Sequence, residues 1–420
     1  MHRLAKFLLR LSLAFPAIGL GLPAAYAALP LVPVCSWPVE STGHGLLNVA
    51  TQDTNTTYWF MALDTKRWKT ITITGQYPKA RLFNITSYGA TGLLIDTISD
   101  QEIVPDAGST NQFNSQTLPP AGSPQNYTIT LGPGAPGASN FLSVGQGPLV
   151  LLVYRVVAPN AGSDLAGGVK VPDLTLTARN GSTLRPPPCP FAAAETSLGG
   201  MITVLIASGF SQAADFLQSI LTTAHQRASI AGSCTARQTG GPAAISFGPA
   251  PGTDFFPDPP TTYLQTPNIC YQSGKVLVVH GKALVFPDTY SGETVSTPAF
   301  DGAVQVRYWS MCNNDGVFPY PVLACDADYQ TQLDNSLSYT YVVSNDPNPP
   351  SWLPEKTNWL PWGPTNVPIT LIFRSITVPD AEPVPSDYYP TAVLCDRQVF
   401  IDHGWQGCFT AAGVKVATGP

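Results

Sequence analysis

The densest cluster of chemically capable side chains is FIDHGWQGC, residues 400–408, which holds Asp402, His403 and Trp405. A histidine can act as a general base when a carboxylate orients it, and an indole ring can stack on a ligand. Neighbouring residues of a strand face opposite sides, so Asp402 could not orient His403 if this stretch is extended. We therefore favour a disulfide-stapled surface loop and keep Asp402 and His403 as catalytic candidates.

The other histidines form no local metal motif. Four histidines follow residue 27, and none lies within four residues of another: His44, His225, His280 and His403. Nucleophile-elbow, zinc-protease, phosphate-loop and dinucleotide motifs are all absent, so the sequence predicts neither a metal nor a cofactor. An enzyme, most plausibly a hydrolase or lyase, would have to assemble its site across the fold from His403 or His280 and distant carboxylates.

Tryptophans in a proline-rich stretch offer a second kind of chemistry. NWLPWGP, residues 358–364, contains Trp359 and Trp362 and follows Trp352. Rings between prolines have few places to be buried, and they can stack on sugars or apolar molecules. We predict that Trp362, Trp352 and Trp405 contact a small-molecule or glycan ligand, with Trp362 exposed and Trp359 mostly buried. Packing of most of these rings in the core is the competing interpretation.

Charged side chains in this sequence favour structural roles. Arg155 and Arg374 each interrupt an apolar segment, and a buried guanidinium needs a carboxylate or several carbonyls. A structural ion pair is therefore favoured over capture of an anionic substrate. Two acidic stretches, 96–106 and 326–334, carry oxygen ligands that could hold calcium. Neither has the EF-hand spacing, so solvated loops are the favoured interpretation.

The first 27 residues have the pattern of a signal peptide. Arg3, Lys6 and Arg10 precede an apolar run, and the A-Y-A of residues 25–27 matches a cleavage site. Neither this run nor any later stretch approaches about 18 uninterrupted apolar residues, so we predict no stable membrane insertion. Cleavage after Ala27 would give a periplasmic or secreted protein whose net charge changes from -6 to about -9. This negative charge disfavours nucleic acid as a partner.

The cysteines also indicate export. An even number of cysteines after an export signal is typical of a disulfide framework. The sequence has no C-x-x-C motif, so a redox or zinc centre is not indicated. We predict the local pairs Cys312–Cys325 and Cys395–Cys408, and the sequence leaves the pairing of the others open. The eight predicted disulfide cysteines are Cys35, Cys189, Cys234, Cys270, Cys312, Cys325, Cys395 and Cys408.

Short apolar segments separated by Pro, Gly, Asn and Asp predict an all-β fold. The predicted strands are 70–74, 80–88, 92–98, 127–131, 149–157, 274–286, 303–311, 337–344 and 369–378. One amphipathic helix is predicted at about 211–229, in a connector after a proline-rich run. The predicted organisation is a signal peptide (1–27), an N-terminal β-sandwich (28–190), the connector (191–240) and a C-terminal β-sandwich (241–420).

Five short matches recur in the same order in the two halves, which favours an internal duplication. NWLPWGP belongs to one of them, so Trp359 falls on Phe141, and Trp362 has no counterpart in that alignment. The matched pairs are 71–75 with 277–281, 81–86 with 307–312, 127–130 with 339–342, 140–142 with 358–360, and 151–155 with 370–374. We predict that the two halves share one strand order, with Asn140 over Asn358 and Arg155 over Arg374.

The stretches RYWSMC, VLACDADYQ, YTYVVS and NWLPWGPTNVPITLIFRSITVP resemble a domain of unknown function found in exported bacterial proteins. The likeness covers roughly 270–380 and, more weakly, 58–160. It implies two related antiparallel β-sandwiches of jelly-roll type and carries over no activity. The cysteine content and the internal symmetry depart from that family's usual pattern.

These observations favour an exported, disulfide-stabilised binding or structural protein that recognises an uncharged or apolar ligand through loop aromatics. The alternative is an exported hydrolase or lyase whose site lies between the two sandwiches.

Overall fold

A computed structural model provides the fold. It describes residues 35–44, 48, 50–89, 92–114, 123–134, 139–189, 234, 244–250, 257–293, 304–317, 320–377 and 384–414. The predicted signal peptide and the predicted helix at 211–229 lie outside the described residues.

The first half of the chain forms two five-stranded sheets. Sheet A has the order β1-β2-β8-β4-β5, and sheet B has the order β10-β9-β3-β6-β7. The strands are β1 (Val39–Ser41), β2 (Thr56–Asp64), β3 (Trp68–Gln76), β4 (Ala80–Tyr88), β5 (Leu94–Ser99), β6 (Asn126–Gly132), β7 (Phe141–Ser143), β8 (Leu149–Pro159), β9 (Asp173–Ala178) and β10 (Thr183–Leu184).

The second half forms two further five-stranded sheets and the helix α1. Sheet C has the order β12-β13-β19-β15-β16, and sheet D has the order β11-β20-β14-β17-β18. The elements are β11 (Ala244–Ser246), β12 (Gly248–Pro249), β13 (Thr261–Gln265), β14 (Lys275–Lys282), β15 (Tyr308–Asp315), β16 (Val322–Ala327), β17 (Ser338–Ser344), β18 (Asn358–Pro361), β19 (Ile369–Ile376), β20 (Thr391–Asp396) and α1 (Arg397–Ala411). Short 3-10 helices occur at Asp100–Glu102, Asp328–Gln330 and Ser386–Tyr388.

The two halves share one strand order. Sheet A corresponds strand by strand to sheet C, and sheet B corresponds to sheet D. All strand pairs are antiparallel except β6–β7 and the corresponding β17–β18, which are parallel. The corresponding edge strands β10 and β11 differ in their position along the chain, because β10 follows its neighbour β9 and β11 precedes its neighbour β20. The predicted fold class, two related and mainly antiparallel β-sandwiches, is therefore confirmed.

Each sandwich encloses its own core because side chains alternate along the strands. In β8 the residues Val150, Leu152, Tyr154 and Val156 face the core between sheets A and B. Leu371 and Phe373 of β19 have the same role between sheets C and D. The intervening residues of β8 and β19 are also buried, because sheets A and C face each other across the junction of the two sandwiches.

A close glycine–tyrosine contact recurs in both sandwiches. Gly75 of β3 lies opposite Tyr127 of β6, and Gly281 of β14 lies opposite Tyr339 of β17. A Cβ built on either glycine would lie 2.5 Å from the facing tyrosine hydroxyl, so any larger residue would force the ring away. The predicted match of 71–75 with 277–281 thus corresponds to a specific packing requirement.

Residues 400–408 are helical, so the prediction of a stapled loop there is wrong. They belong to α1, which begins directly after β20 and packs on the outer face of sheet D. The helix is kinked at Gly404, whose φ of 63° and ψ of -165° interrupt the helical backbone. Glycine tolerates this positive φ because it has no Cβ.

Four disulfides are present, and both predicted local pairs are confirmed. Cys312–Cys325 links the paired strands β15 and β16, and Cys395–Cys408 links β20 to α1. The remaining bonds are Cys35–Cys189 and Cys234–Cys270. This framework fits a protein that folds in an oxidising compartment such as the periplasm or the extracellular space. Within the described ranges, no helix is long and apolar enough to cross a membrane.

Candidate functional site

The structure brings two of the predicted site residues together on the outer face of sheet D. Trp405 of α1 stacks on the imidazole of His280 from β14, with ring centroids 3.6 Å apart and planes inclined by 12°. Phe409, one helical turn further on, packs edge-on against both rings. Trp405 and His280 are each half-buried, so the pair keeps some surface exposed to solvent. We call this pair the His280–Trp405 stack.

The backbone explains how the stack forms. β14 is the central strand of sheet D, and His280 lies directly opposite Thr340 of β17. The Nδ1 atom of His280 and the Thr340 hydroxyl are 3.1 Å apart, which fixes the orientation of the imidazole. The disulfide Cys395–Cys408 holds α1 against the same sheet. The aromatic surface is therefore built on rigid elements.

His280 is neutral near pH 7. Burial is the largest influence and lowers the pKa of His280 to about 4, although Asp334 and a hydrogen bond with the Tyr339 backbone favour the charged form. The stack consequently presents an uncharged surface to solvent. Aromatic rings can pack against apolar molecules and sugar rings.

This lowered pKa predicts a specific loss of stability in acid. Because the folded-state pKa lies below the ordinary 6.5, the unfolded chain binds more protons between these two values. The stabilisation is complete above about pH 6.5 and is lost as the pH falls towards about 4. Between pH 7 and pH 4, we expect the unfolding free energy of the wild type to fall by about 1–2 kcal/mol more than that of His280→Gln. This figure is discounted for the partial exposure of the His280 side chain.

Chemical denaturation at a series of pH values measures this difference. His403→Gln, at an exposed position of α1, is the matched control for the histidine-to-glutamine change itself. Identical pH profiles for the wild type and His280→Gln would contradict the assignment.

The catalytic candidates Asp402 and His403 are joined to each other by no described hydrogen bond or ion pair. Both side chains are exposed on α1, and Asp402 accepts a hydrogen bond from Gln398, one turn earlier (2.9 Å). Among the described contacts, His403 has no carboxylate within hydrogen-bonding distance. No described hydrogen bond or ion pair joins His403 to His280, so the structure gives these catalytic candidates no common site.

Trp352 also packs against α1. Its ring packs edge-on against Phe400, with centroids 6.2 Å apart, and it is half-buried in the same apolar cluster as Trp405. Two of the three predicted ligand-binding tryptophans, one within α1 and one packed against it, therefore lie in one apolar cluster.

The predicted exposure of Trp362 is wrong. Trp362 is 0% exposed and packs edge-on against Tyr271 in the core between sheets C and D. Strand alternation explains the error, because Leu360 faces the core and Trp362, two residues later, faces the same way. Trp359 points to the other side and is only half-buried, and its indole nitrogen donates to the Ser344 hydroxyl.

Trp362 also has a counterpart that the sequence comparison missed. Its backbone N–H donates to the Ser344 carbonyl, as the N–H of Val144 donates to the Gly132 carbonyl in the first sandwich. Val144 is buried in the first core, as Trp362 is in the second. The predicted match of Trp359 with Phe141 is compatible with this register, but both of those rings are half-buried.

The two arginines within apolar strands have structural contacts, as the sequence favoured. Arg155 lies 3.4 Å from Asp258 and donates to the Thr86 hydroxyl (2.8 Å). Arg374 instead donates to the Thr51 carbonyl and to the sulfur of Cys312 (2.7 Å). Each guanidinium is thus held by groups of the protein itself.

Sequence reasoning missed two buried ion pairs at the junction of the sandwiches. Arg81, at the start of β4, donates to Asp328 across the junction with a separation of 2.8 Å. Arg307, directly before β15, donates with both terminal nitrogens to Asp100 (2.7 and 2.8 Å). All four side chains are almost fully buried. The match of 81–86 with 307–312 contained both arginines, so that pairing was the available signal.

The acidic stretches are therefore not simply solvated loops. Asp100 and Asp328 form the buried ion pairs, and Glu102 accepts a hydrogen bond from the Ser99 backbone. Asp326 occupies the position that Ile98 holds in the first sandwich, and burial raises its pKa to about 7.

One group of residues in the described ranges has the spacing of a metal site, namely Asp53, Cys312 and Cys325. The two sulfurs form a disulfide, so neither is available as a thiolate ligand.

Comparisons with solved structures give matches of low sequence identity and low TM-score. No family model and no curated protein matches the chain. A putative uncharacterised protein from Burkholderia cenocepacia is 14% identical, with 83% of this chain and 78% of that chain covered and a TM-score of 0.49. The VPA0106 protein from Vibrio parahaemolyticus is 10% identical, with 82% and 90% covered and a TM-score of 0.36. These values carry no argument about function.

Proposed function

We propose that this chain is an exported, disulfide-stabilised binding protein that holds an uncharged or apolar ligand against the His280–Trp405 stack. The observation that carries the proposal is the half-exposed, uncharged stack itself, with centroids 3.6 Å apart. Its rings are fixed by strand β14, by the Thr340 hydroxyl and by a disulfide-anchored helix. A preorganised aromatic surface loses little side-chain entropy when it binds.

The proposed export rests on the sequence of residues 1–27 and gains support from the four disulfides. The proposed ligand class rests on the charge state of the stack, because burial lowers the pKa of His280 and leaves its imidazole neutral near pH 7. Trp352 extends the same apolar cluster along α1. Trp362 is no longer part of the proposed site, since it is core.

Removal of the exposed indole tests the proposal. We expect Trp405→Ala to weaken binding at least about tenfold, because truncated aromatic anchors at interfaces often cost 2 kcal/mol or more. Isothermal titration with neutral probes, namely maltohexaose, chitohexaose and Nile red, measures the change. His403→Ala on the same helix is the matched control and should bind like the wild type.

Two outcomes contradict the proposal. In the first, none of these probes binds the wild type. In the second, a probe binds Trp405→Ala as tightly as it binds the wild type. Circular dichroism of Trp405→Ala shows whether weaker binding reflects the loss of the ring or the loss of the fold.

The enzyme alternative has less support. The described surroundings of His280 contain the Thr340 hydroxyl, and Asp334 accepts hydrogen bonds from Ser336 and Ser338. A carboxylate dedicated to orienting the imidazole is therefore missing from the described contacts.

We also propose that the two sandwiches arose by tandem duplication. Beyond the shared strand order, Asn140 and Asn358 make the same hydrogen bonds. Each donates to two carbonyls, of Val104 and Thr128 for Asn140 and of Gln332 and Thr340 for Asn358. Such agreement in side-chain contacts supports common descent better than strand order does, because unrelated sandwiches can share a topology.

A further inference from the structure

The buried ion pairs at the junction of the sandwiches are reciprocal. Arg81 and Asp328 join the first sandwich to the second, and Arg307 and Asp100 join the second to the first. Arg81 and Arg307 occupy equivalent positions, because they directly precede Leu82 and Tyr308, which pair with the corresponding residues Val157 of β8 and Ile376 of β19. Asp100 and Asp328 each begin a 3-10 helix directly after β5 or β16.

The backbone contacts around these pairs repeat the same exchange. Arg81 donates to the Arg307 carbonyl, and Arg307 lies 3.4 Å from the Arg81 carbonyl. Each aspartate also accepts a backbone N–H of its own sandwich, from Phe83 for Asp100 and from Trp309 for Asp328. In an interface with two-fold symmetry, residue i contacts residue j and j contacts i. The junction has this arrangement within one chain.

A second pair of aspartates is exchanged in the same way. Asp53 of the first half accepts hydrogen bonds from Tyr308 and Ser310 of the second. Asp258 of the second half accepts one from Asn84 of the first, and Ser310 is the equivalent of Asn84. Both aspartates belong to the repeated sequence D-x-x-T-T-Y, residues 53–58 and 258–263.

A cross-strand pair beside this contact shows how the two halves have diverged. Thr86 and Thr97 face each other with their hydroxyls 3.0 Å apart, and the equivalent pair in the second half is the disulfide Cys312–Cys325. Arg155 donates to Thr86, as Arg374 donates to Cys312. The arginine donors therefore occupy equivalent places in the two halves, whereas the pair that they contact is two threonines in the first half and a disulfide in the second.

We propose that the faces of sheets A and C that are buried against each other at the junction form a self-complementary docking surface, so that the chain is a fused pseudo-dimer whose halves bind each other without the connector. Each half supplies the buried carboxylates that neutralise arginines of the other half. The partner that fits this surface is a second copy of the same module. The description of the two halves as copies of one module rests on the proposed duplication. The association of the halves can be tested independently of it.

The disulfides permit a direct test in the full-length protein. Cys35–Cys189 lies within the first half, and the other three bonds lie within the second, from Cys234 onwards. A specific protease site inserted between residues 190 and 233 would therefore leave two fragments without a covalent link after cleavage. The protein is folded and oxidised first, then cleaved and analysed without reductant.

We expect the cleaved fragments to elute together with the mass of the uncleaved protein, as measured by light scattering. Arg81→Met and Arg307→Met should each raise the dissociation constant of the fragments at least about tenfold, and by similar factors because their positions are equivalent. Lys275→Met is the matched control, because its partner Asp396 is largely exposed, and it should leave the association unchanged.

Separation of the cleaved wild-type fragments in buffer would overturn the proposal, while leaving ligand binding at Trp405 and the shared strand order unaffected. Unchanged association of both arginine variants would also overturn it. If a variant fails to fold before cleavage, Asp100→Asn provides the second measurement. It retains an oxygen for the Phe83 N–H while removing the charge that Arg307 requires.

Discussion

Replacement of Arg307 by methionine is expected to lower the free energy of unfolding by about 3–5 kcal/mol, the cost of leaving a buried charge without its partner. Asp100 would remain almost fully buried after losing both charged hydrogen bonds. Asp100→Asn should be costly for the complementary reason, since the guanidinium of Arg307 would lose its carboxylate. Urea denaturation of the oxidised protein measures both variants.

The double variant Arg307→Met with Asp100→Asn gives the sharper result. It should cost clearly less than the two single changes together, because neither charge then remains buried alone. The surface pair Lys275–Asp396 is the control, and Lys275→Met should cost less than about 1 kcal/mol. Additive single effects would show that Arg307 and Asp100 are not energetically coupled.

Trp362→Ala is expected to cost about 3–5 kcal/mol, the usual range for removing an aromatic ring from a core. Its ring is 0% exposed, and Tyr271 and the core between sheets C and D would lose their contacts with it. Thermal and urea denaturation both report this loss. Trp362→Phe should recover much of the stability because it restores most of the apolar volume.

Trp359→Ala, three residues earlier, is the matched control for this core effect. Trp359 is only half-buried and faces the other side of β18, so its truncation should cost about 1–2 kcal/mol, less than that of Trp362. An unfolding midpoint of Trp362→Ala equal to that of the wild type would contradict the structural placement of the ring.

The strands could be predicted from sequence because their signals are local. In β4 and β19, runs of apolar and β-branched residues end at turn-forming residues, and the pattern needs no knowledge of the partner strand. The local disulfides were predictable for the same reason. The helix α1 gave a weaker signal, since Gly404 interrupts the segment and its apolar and polar residues are not clearly segregated onto opposite faces.

The burial of Trp362 and the reciprocal ion pairs could not be predicted in the same way. The side that Trp362 faces depends on the register of the short strand β18, and a shift of one residue would reverse it. Arg81 and Asp328 are 247 residues apart, and they meet only because two complete sandwiches dock. Short-range sequence patterns include the residues of such a contact, but they do not predict which residues meet in the folded chain.

The disulfide Cys35–Cys189 has a mechanical consequence. It closes a loop of 154 residues that contains every strand of the first sandwich. A stretching force applied to the two ends of the chain would pass from residue 35 to residue 189 through one covalent bond, without extending the strands between them. Under tension the first sandwich would therefore contribute nothing to the length of the chain while that bond remained intact. Once the bond is reduced, unfolding of the sandwich under the applied force would release about 500 Å of additional contour length, at roughly 3.3 Å per extended residue.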